Sequence, residues 1–146
     1  SAMDEFGINS PARQAAFLAQ IGPESGQLRY SEEIARGDAY EGRDDLGNLE
    51  VGDGRKFKGR GLVQITGRAN YKACGDALGL DLIGDPDLLQ TPENACRSAA
   101  WFWQSHGLNQ LADVGNFERI TRRINGGLNG QAERVALWKL AKEQLT

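Results

Sequence analysis

The stretch SPARQAAFLAQIGPESG, residues 10–26, decides the type of fold that the sequence predicts. The pair Ser10–Pro11 is a typical helix start, because serine caps free backbone N–H groups and proline fits the first helical position. The apolar residues behind this pair recur at helical spacing, and we expect the helix to end where it meets Gly22–Pro23. Glu24 follows directly, so the first long helix brings a carboxyl group to its end.

Similar signals along the chain predict a mainly α-helical domain. Thr66 is expected to cap a helix that reaches Leu78 and ends at Gly79. Further helical segments are expected at 86–89, 92–106, 117–124 and 131–145, with their aromatic residues in the core. Between them, we expect a long loop at 32–58, a short strand edge at 62–65 and, as an option, a small β-hairpin within 50–66.

Length and composition limit the classes of protein to consider. The 146 residues, with 40% hydrophobic and 25% charged side chains, fit one ordinary globular domain spanning 1–146. A net charge of −3 argues against a nucleic-acid partner, and no apolar run approaches the ~20 residues of a membrane span. No secretory signal is visible. Because the chain begins Ser1-Ala2-Met3 and soon enters a helix start, we expect that a native N-terminal segment is missing.

The charges are unevenly distributed along the chain. Residues 32–53 contain eight acids and two bases, whereas residues 55–72 contain six bases and no acid. One interpretation is a solvated acidic loop beside a basic edge, and the other is one wall of a groove for a polar or anionic polymer. The sequence leaves both open.

The cysteines and the single histidine do not predict a metal site. Cys74, Cys96 and His106 lack the close spacing of zinc ligands, so no metal and no cofactor is expected. Two buried thiols are the favoured interpretation, while a disulfide and a Cys–His nucleophile pair stay open. His106 is expected on the surface, near a helix end.

Three segments, taken in order, resemble the family 19 glycoside hydrolases, which include plant chitinases and phage endolysins. Residues 13–26 resemble the first catalytic segment of the family. Residues 58–71, KGRGLVQITGRANY, resemble its glycan-binding segment, and residues 120–127, ITRRINGG, resemble its third signature. The wording is most similar to the short bacterial and phage endolysin-like branch. The resemblance implies a lysozyme-like domain with a cleft between two lobes.

The resemblance also implies the roles of individual residues. Glu24 matches the general acid, and Glu33 matches the general base that activates water, although a shift of one residue to Glu32 stays open. An inverting mechanism follows, with the two carboxyl groups roughly 6.5–9.5 Å apart. The implied substrate-binding residues are Gln64 and Thr66 for the sugar and the attacking water, Asn70 and Asn125 for the glycan, and Arg134 near the acid.

Two positions depart from the family pattern. Pro23 stands where the family usually has histidine, and it suggests that Glu24 lies at a helix break. Asn129 stands where the family often has a carboxylate paired with the arginine matched by Arg134. Both changes leave a catalytically impaired glycan-binding or interaction domain as an alternative.

The leading functional hypothesis is an endolysin-type muramidase that cleaves β-1,4 glycosidic bonds in peptidoglycan. A chitinase with the same mechanism is the first alternative. A secreted antibacterial effector, which would have a neutralising partner, is another. In each case the protein is expected to be a monomer that is made in the cytoplasm and acts on a cell wall after holin release or secretion.

Overall fold

The computed structural model describes residues 1–24 and 37–145. The described residues are mainly helical, which confirms the predicted class. The α-helices are α1 (Ala2–Glu5), α2 (Pro11–Glu24), α3 (Asp53–Lys56), α4 (Arg68–Leu78), α5 (Pro92–Ser105), α6 (Leu108–Asp113), α7 (Phe117–Asn125) and α8 (Gln131–Leu145). Short 3-10 helices lie at Asp38–Tyr40, Asp44–Leu46 and Pro86–Gln90.

Helix α2 is the central element of the core. Its Phe17 meets the buried ring of Trp103 edge-on at 5.3 Å between ring centroids. The helix packs along α8, and Trp138 of α8 stacks on Phe117 of α7 at 4.5 Å. One pair of rings therefore joins α2 to α5, and a second pair joins α7 to α8, the helix that packs along α2.

The expected helix end at Gly22–Pro23 is wrong, because α2 continues through Pro23 to Glu24. Proline disfavours a helical residue before it by clashing with that residue's Cβ. Gly22 has no Cβ, which lowers this penalty and lets the last turn form. Glu24 therefore lies on the helix rather than after a break.

Most of the other predicted helix boundaries are present. Thr91 caps α5 through its side chain, and Gly79 ends α4 in the left-handed conformation, as expected. The cap of α4, however, is Gly67 rather than Thr66. Gly67 has a φ of 93°, and a Cβ there would come within 2.7 Å of Leu46. A contact made far along the chain therefore determines this boundary.

The predicted long loop is a folded segment in its described part. Asp53 is buried against Arg68 of α4, whose Nε donates to the carboxylate at 2.9 Å. Glu41 accepts hydrogen bonds from the backbone N–H groups of Gly52 and Gly54. Several of the acids of 38–53 thus serve structure. In place of the small β-hairpin considered within residues 50–66, the described residues form one isolated antiparallel bridge, between Arg60 and Ile65.

The expectation of two buried thiols is wrong for one of the two cysteines. Both thiols are free, and Cys74 is buried, but Cys96 is exposed. Ala95 and Ala99 occupy the buried face of α5, and Cys96 lies just outside that face. Burial raises the pKa of Cys74 to about 12. In the part of the chain that is described, no helix is both long and apolar enough to cross a bilayer.

Candidate active site

Glu24 is held by a buried arginine from the other end of the chain. Arg134 of α8 donates from Nη2 to Glu24 Oε1 at 2.6 Å. The arginine side chain is 4% exposed, whereas that of Glu24 is 21% exposed. The second carboxylate oxygen, Oε2, accepts no hydrogen bond from the described residues. The arginine therefore fixes one of the two carboxylate oxygens.

Behind this ion pair lies a chain of buried polar side chains. Arg134 Nη1 donates to Gln20 Oε1 at 2.6 Å, and Gln20 Nε2 donates to Thr121 Oγ1 at 2.8 Å. Thr121 in turn donates to the carbonyl of Phe117 at 3.2 Å. Gln20 and Thr121 are fully buried. We call Glu24, Arg134, Gln20 and Thr121 the arginine relay.

Two members of the arginine relay, Gln20 and Thr121, are not among the site residues that the sequence predicts. Gln20 lies one helical turn before Glu24, so residues i and i+4 of α2 approach the same guanidinium. That spacing was the available signal, since a glutamine within an apolar helix face needs a buried partner. Thr121 lies on α7, and nothing in its local sequence marks it.

The departure at Asn129 does not remove the contact to the arginine. Arg134 Nε donates to the backbone carbonyl of Asn129 at 3.1 Å. A backbone carbonyl is present whatever the side chain is. Together with Gln20 and Glu24, it gives each nitrogen of the guanidinium one acceptor.

A second group of predicted residues lines a cavity of about 240 Å³. Three predicted substrate-binding residues, Gln64, Thr66 and Asn70, lie in its wall. The remaining lining residues are Leu46, Val63, Ile65, Trp101, Phe102 and His106. The cavity therefore combines amides and a hydroxyl with apolar and aromatic side chains, as small-molecule sites commonly do.

The turn that carries Gln64 is tightly built. Gln64 has a φ of 57°, and it is the one described residue other than glycine with a positive φ. Its Nε2 donates to the Gly61 carbonyl at 2.8 Å, and Thr66 Oγ1 donates to the Gln64 carbonyl at 3.1 Å. A Cβ at Gly59 would lie 2.7 Å from Gln64 Oε1. Such strained, closely supported residues are frequent at ligand sites.

The aromatic side chains that line the cavity, Trp101 and Phe102, were not predicted as site residues either. Trp103 is buried as expected, but Trp101 and Phe102 are only half-buried and face the cavity. The His106 ring stacks on Phe102 at 3.9 Å between centroids. His106 is exposed, as predicted, and it is also part of the cavity wall. Helical spacing alone does not separate a core aromatic from one at the edge of a cavity.

The structure thus places the predicted site residues in two groups. Glu24 and Arg134 belong to the arginine relay, and Gln64, Thr66 and Asn70 line the cavity. Asn125 ends α7, and its Oδ1 is buried with no hydrogen-bond partner among the described residues. Glu33 and Glu32 lie outside the described residues, so the base stays a prediction. Within the described ranges, no cluster of three or more His, Cys, Asp or Glu residues could hold a metal ion.

Comparison with known proteins shows which protein family the chain matches. The model of a family described as "Chitinase class I", a glycosyl hydrolase family 19 model, matches residues 10–113. A glycosyl hydrolase family 19 domain-containing protein of Haemophilus influenzae is 34% identical over 168 residues, with 94% of this chain and 82% of the relative covered. An endochitinase of Arabidopsis thaliana is 42% identical over 114 residues, but only 39% of its length is covered, against 77% of this chain.

Solved structures agree with the sequence matches. A bacterial family 19 chitinase superposes with a TM-score of 0.83 at 28% identity, covering 99% of this chain and 82% of that one. A class IV chitinase from Zea mays gives a TM-score of 0.77 at 29% identity, with 99% and 76% coverage.

Proposed function

The chain belongs to the family 19 glycoside hydrolases, and we propose that it is an endolysin-type enzyme that hydrolyses the β-1,4 glycosidic bonds of peptidoglycan by an inverting mechanism. The observation that carries this proposal is the Glu24–Arg134 pair at 2.6 Å, which leaves one carboxyl oxygen without a described partner. Burying an arginine beside a carboxyl group costs desolvation free energy. A fixed position of that carboxyl group for catalysis is a reason to keep such a pair.

Glu24 acts as the general acid in this mechanism. Protonated at Oε2, it donates its proton to the glycosidic oxygen as the bond breaks. Arg134 then stabilises the carboxylate that remains, since its Nη2 already bonds to Oε1. The arginine relay keeps the guanidinium from moving during this step.

Glu33 is proposed as the general base. It removes a proton from the water that attacks the anomeric carbon on the face opposite the leaving group. Room for this water requires carboxyl groups roughly 6.5–9.5 Å apart, as inverting enzymes have. Glu32 is the alternative for this role.

The cavity is proposed to bind the N-acetylated sugar. An N-acetyl group offers one N–H and one carbonyl, and the amides of Gln64 and Asn70 can both donate and accept. Trp101 and Phe102 provide apolar surface for the sugar ring. The enzyme would reach the cell wall after holin release or secretion.

Chitin is the second candidate substrate, because relatives in Arabidopsis thaliana and other plants are named endochitinases. A catalytically impaired binding domain is less well supported. The two departures behind that alternative, Pro23 and Asn129, leave Glu24 helical and each guanidinium nitrogen of Arg134 with one acceptor.

Mass spectrometry of the products tests this proposal. Purified sacculi should release muropeptides with hydrolysed glycan strands, and Glu24→Gln should lower the rate by ~10²–10⁴-fold with the fold intact. Glu33→Ala should be severe and Glu32→Ala mild. Cleavage of chitin oligomers but not of sacculi would show that chitin rather than peptidoglycan is the substrate. A Glu24→Gln enzyme whose cleavage rate is within a few-fold of the wild-type rate would overturn the role of Glu24.

A further inference from the structure

Resting on the proposed function, we propose that the His106 end of the cavity binds a carboxylate of the peptidoglycan chain, and that Arg123 is the residue that recognises it. Arg123 Nη1 donates to the backbone carbonyl of His106 at 2.9 Å. His106 lines the cavity that also contains Gln64, Thr66 and Asn70. A guanidinium is therefore anchored to a residue that lines the proposed sugar site.

The guanidinium has donors to spare. A guanidinium carries five N–H donors, and among the described residues the Arg123 side chain makes one hydrogen bond, to His106. Arg123 is exposed, and it lies over Gly107, where a Cβ would be 3.5 Å from Nη1. The bond to His106 also caps the end of α5, so this contact fixes the position of the cation without consuming its charge.

The surroundings favour an anion. None of the described residues that line the cavity is acidic, so a carboxylate entering there meets no like charge. The cations of α7 nearby are arginines, and the single acid of that helix, Glu118, is paired with Arg122 at 3.1 Å. Arg123 has no such acidic partner in the described ranges, in contrast to Arg122.

His106 is oriented to assist. Its Nδ1 lies 2.8 Å from the Phe102 carbonyl, which can only accept, so Nδ1 carries a hydrogen. The ring is held by stacking on Phe102, and Nε2 has no hydrogen-bond partner among the described residues. In the neutral ring Nε2 accepts from a hydroxyl or amide of the sugar.

The chemistry of the two candidate polymers separates here. A chitin chain is uncharged, whereas peptidoglycan carries carboxylates on its lactyl ethers or on the peptides attached to them. Arginine binds a carboxylate through parallel, charge-assisted hydrogen bonds. A cation at this edge therefore favours peptidoglycan over chitin through a group that does not react.

The test compares kcat/KM on three substrates: intact sacculi, glycan strands stripped of peptide by an amidase, and a chitin oligomer. Arg123→Gln should lower the ratio of peptidoglycan to chitin turnover about fivefold, as expected for one partly exposed ion pair. Arg123→Lys should restore part of the ratio. Arg119→Gln removes the same charge from the same helix one turn away, and it should leave the ratio unchanged.

The stripped strands identify the carboxylate. The amidase frees the lactyl carboxyl from its amide bond to the peptide, so a loss that is larger on stripped strands than on intact sacculi assigns the lactyl group. A loss seen only on intact sacculi assigns the peptide. An equal loss on all substrates, or no loss, overturns the proposal. If the wild type cleaves neither polymer, the proposed function fails, and the carboxylate site is then tested by cosedimentation with sacculi and with chitin beads. Arg123→Gln should weaken binding to sacculi but not to chitin, and any other result shows that the proposed carboxylate site is wrong.

Discussion

Replacing Gln20 by methionine should impair both folding and catalysis. Methionine has a similar size but no polar atom, so Arg134 Nη1 would lose its acceptor and Thr121 Oγ1 its donor. Leaving a buried charged donor unsatisfied costs about 3 kcal/mol. For a chain of this length that corresponds to a fall in Tm of roughly 6–12 °C. Thermal unfolding followed by circular dichroism measures it.

The catalytic effect has a different signature. Gln20 contacts Arg134 rather than the cavity, so kcat should fall by about ten- to a hundredfold through misplacement of Glu24, with KM nearly unchanged. Gln14→Met is the matched control. Gln14 is on the same helix, is only half-buried and makes a weak 3.4 Å bond to the Ile8 carbonyl.

Two results would refute this reasoning. If Gln20→Met is no less stable than Gln14→Met, the buried relay does not hold the guanidinium. If stability falls but kcat does not, the relay is structural and does not position Glu24. Thr121→Val in combination with Gln20→Met should be non-additive, because both variants break the same hydrogen bond.

Two further predictions concern titratable groups. The hydrogen bond from Arg68, opposed by burial, lowers the pKa of Asp53, so the ionised Asp53 stabilises the fold above its unfolded pKa of about 4, and this stabilisation is lost as the pH falls through the lower folded pKa. Urea titrations should show that Asp53→Asn is less stable than the wild type at pH 7 and that the difference shrinks below pH 4, whereas a constant difference would contradict this prediction. A thiol reagent at pH 8 should label only Cys96 in the native protein and both cysteines in urea, since Cys74 is buried with its pKa raised to about 12; rapid native labelling of two thiols would contradict the structure.

Local signals predicted the helices well, because their starts and ends depend on nearby residues. Thr91 before Pro92 supplies its own cap, and Gly79 provides a left-handed stop. The cap of α4 was predicted one residue early because a contact between Gly67 and Leu46 determines it. The segment 38–53 was predicted as a loop because its order comes from partners such as Arg68, which no local pattern reveals.

The site shows the same division. The motif wording supplied Glu24, Arg134, Gln64, Thr66 and Asn70 as candidates, and the structure brings them into two groups. The motif did not mark Gln20, whose spacing from Glu24 was the one available signal. It could not supply Thr121 or Phe102, since burial and orientation within a helix depend on what packs against it. A ligand site is made by neighbours in space, whereas a motif records neighbours in sequence.

The two groups of site residues are supported by different parts of the fold, and this separates the effects of mutation. Glu24 is held by a charged hydrogen bond from Arg134 of α8, which buried polar side chains of α2 and α7 support, so changes there should lower stability and turnover together. Gln64 and Asn70 lie on an accessible wall, and their side-chain bonds go to nearby backbone carbonyls. Changes there should weaken substrate binding with a smaller loss of stability. A substitution in the cavity wall can therefore leave the Glu24–Arg134 pair in place.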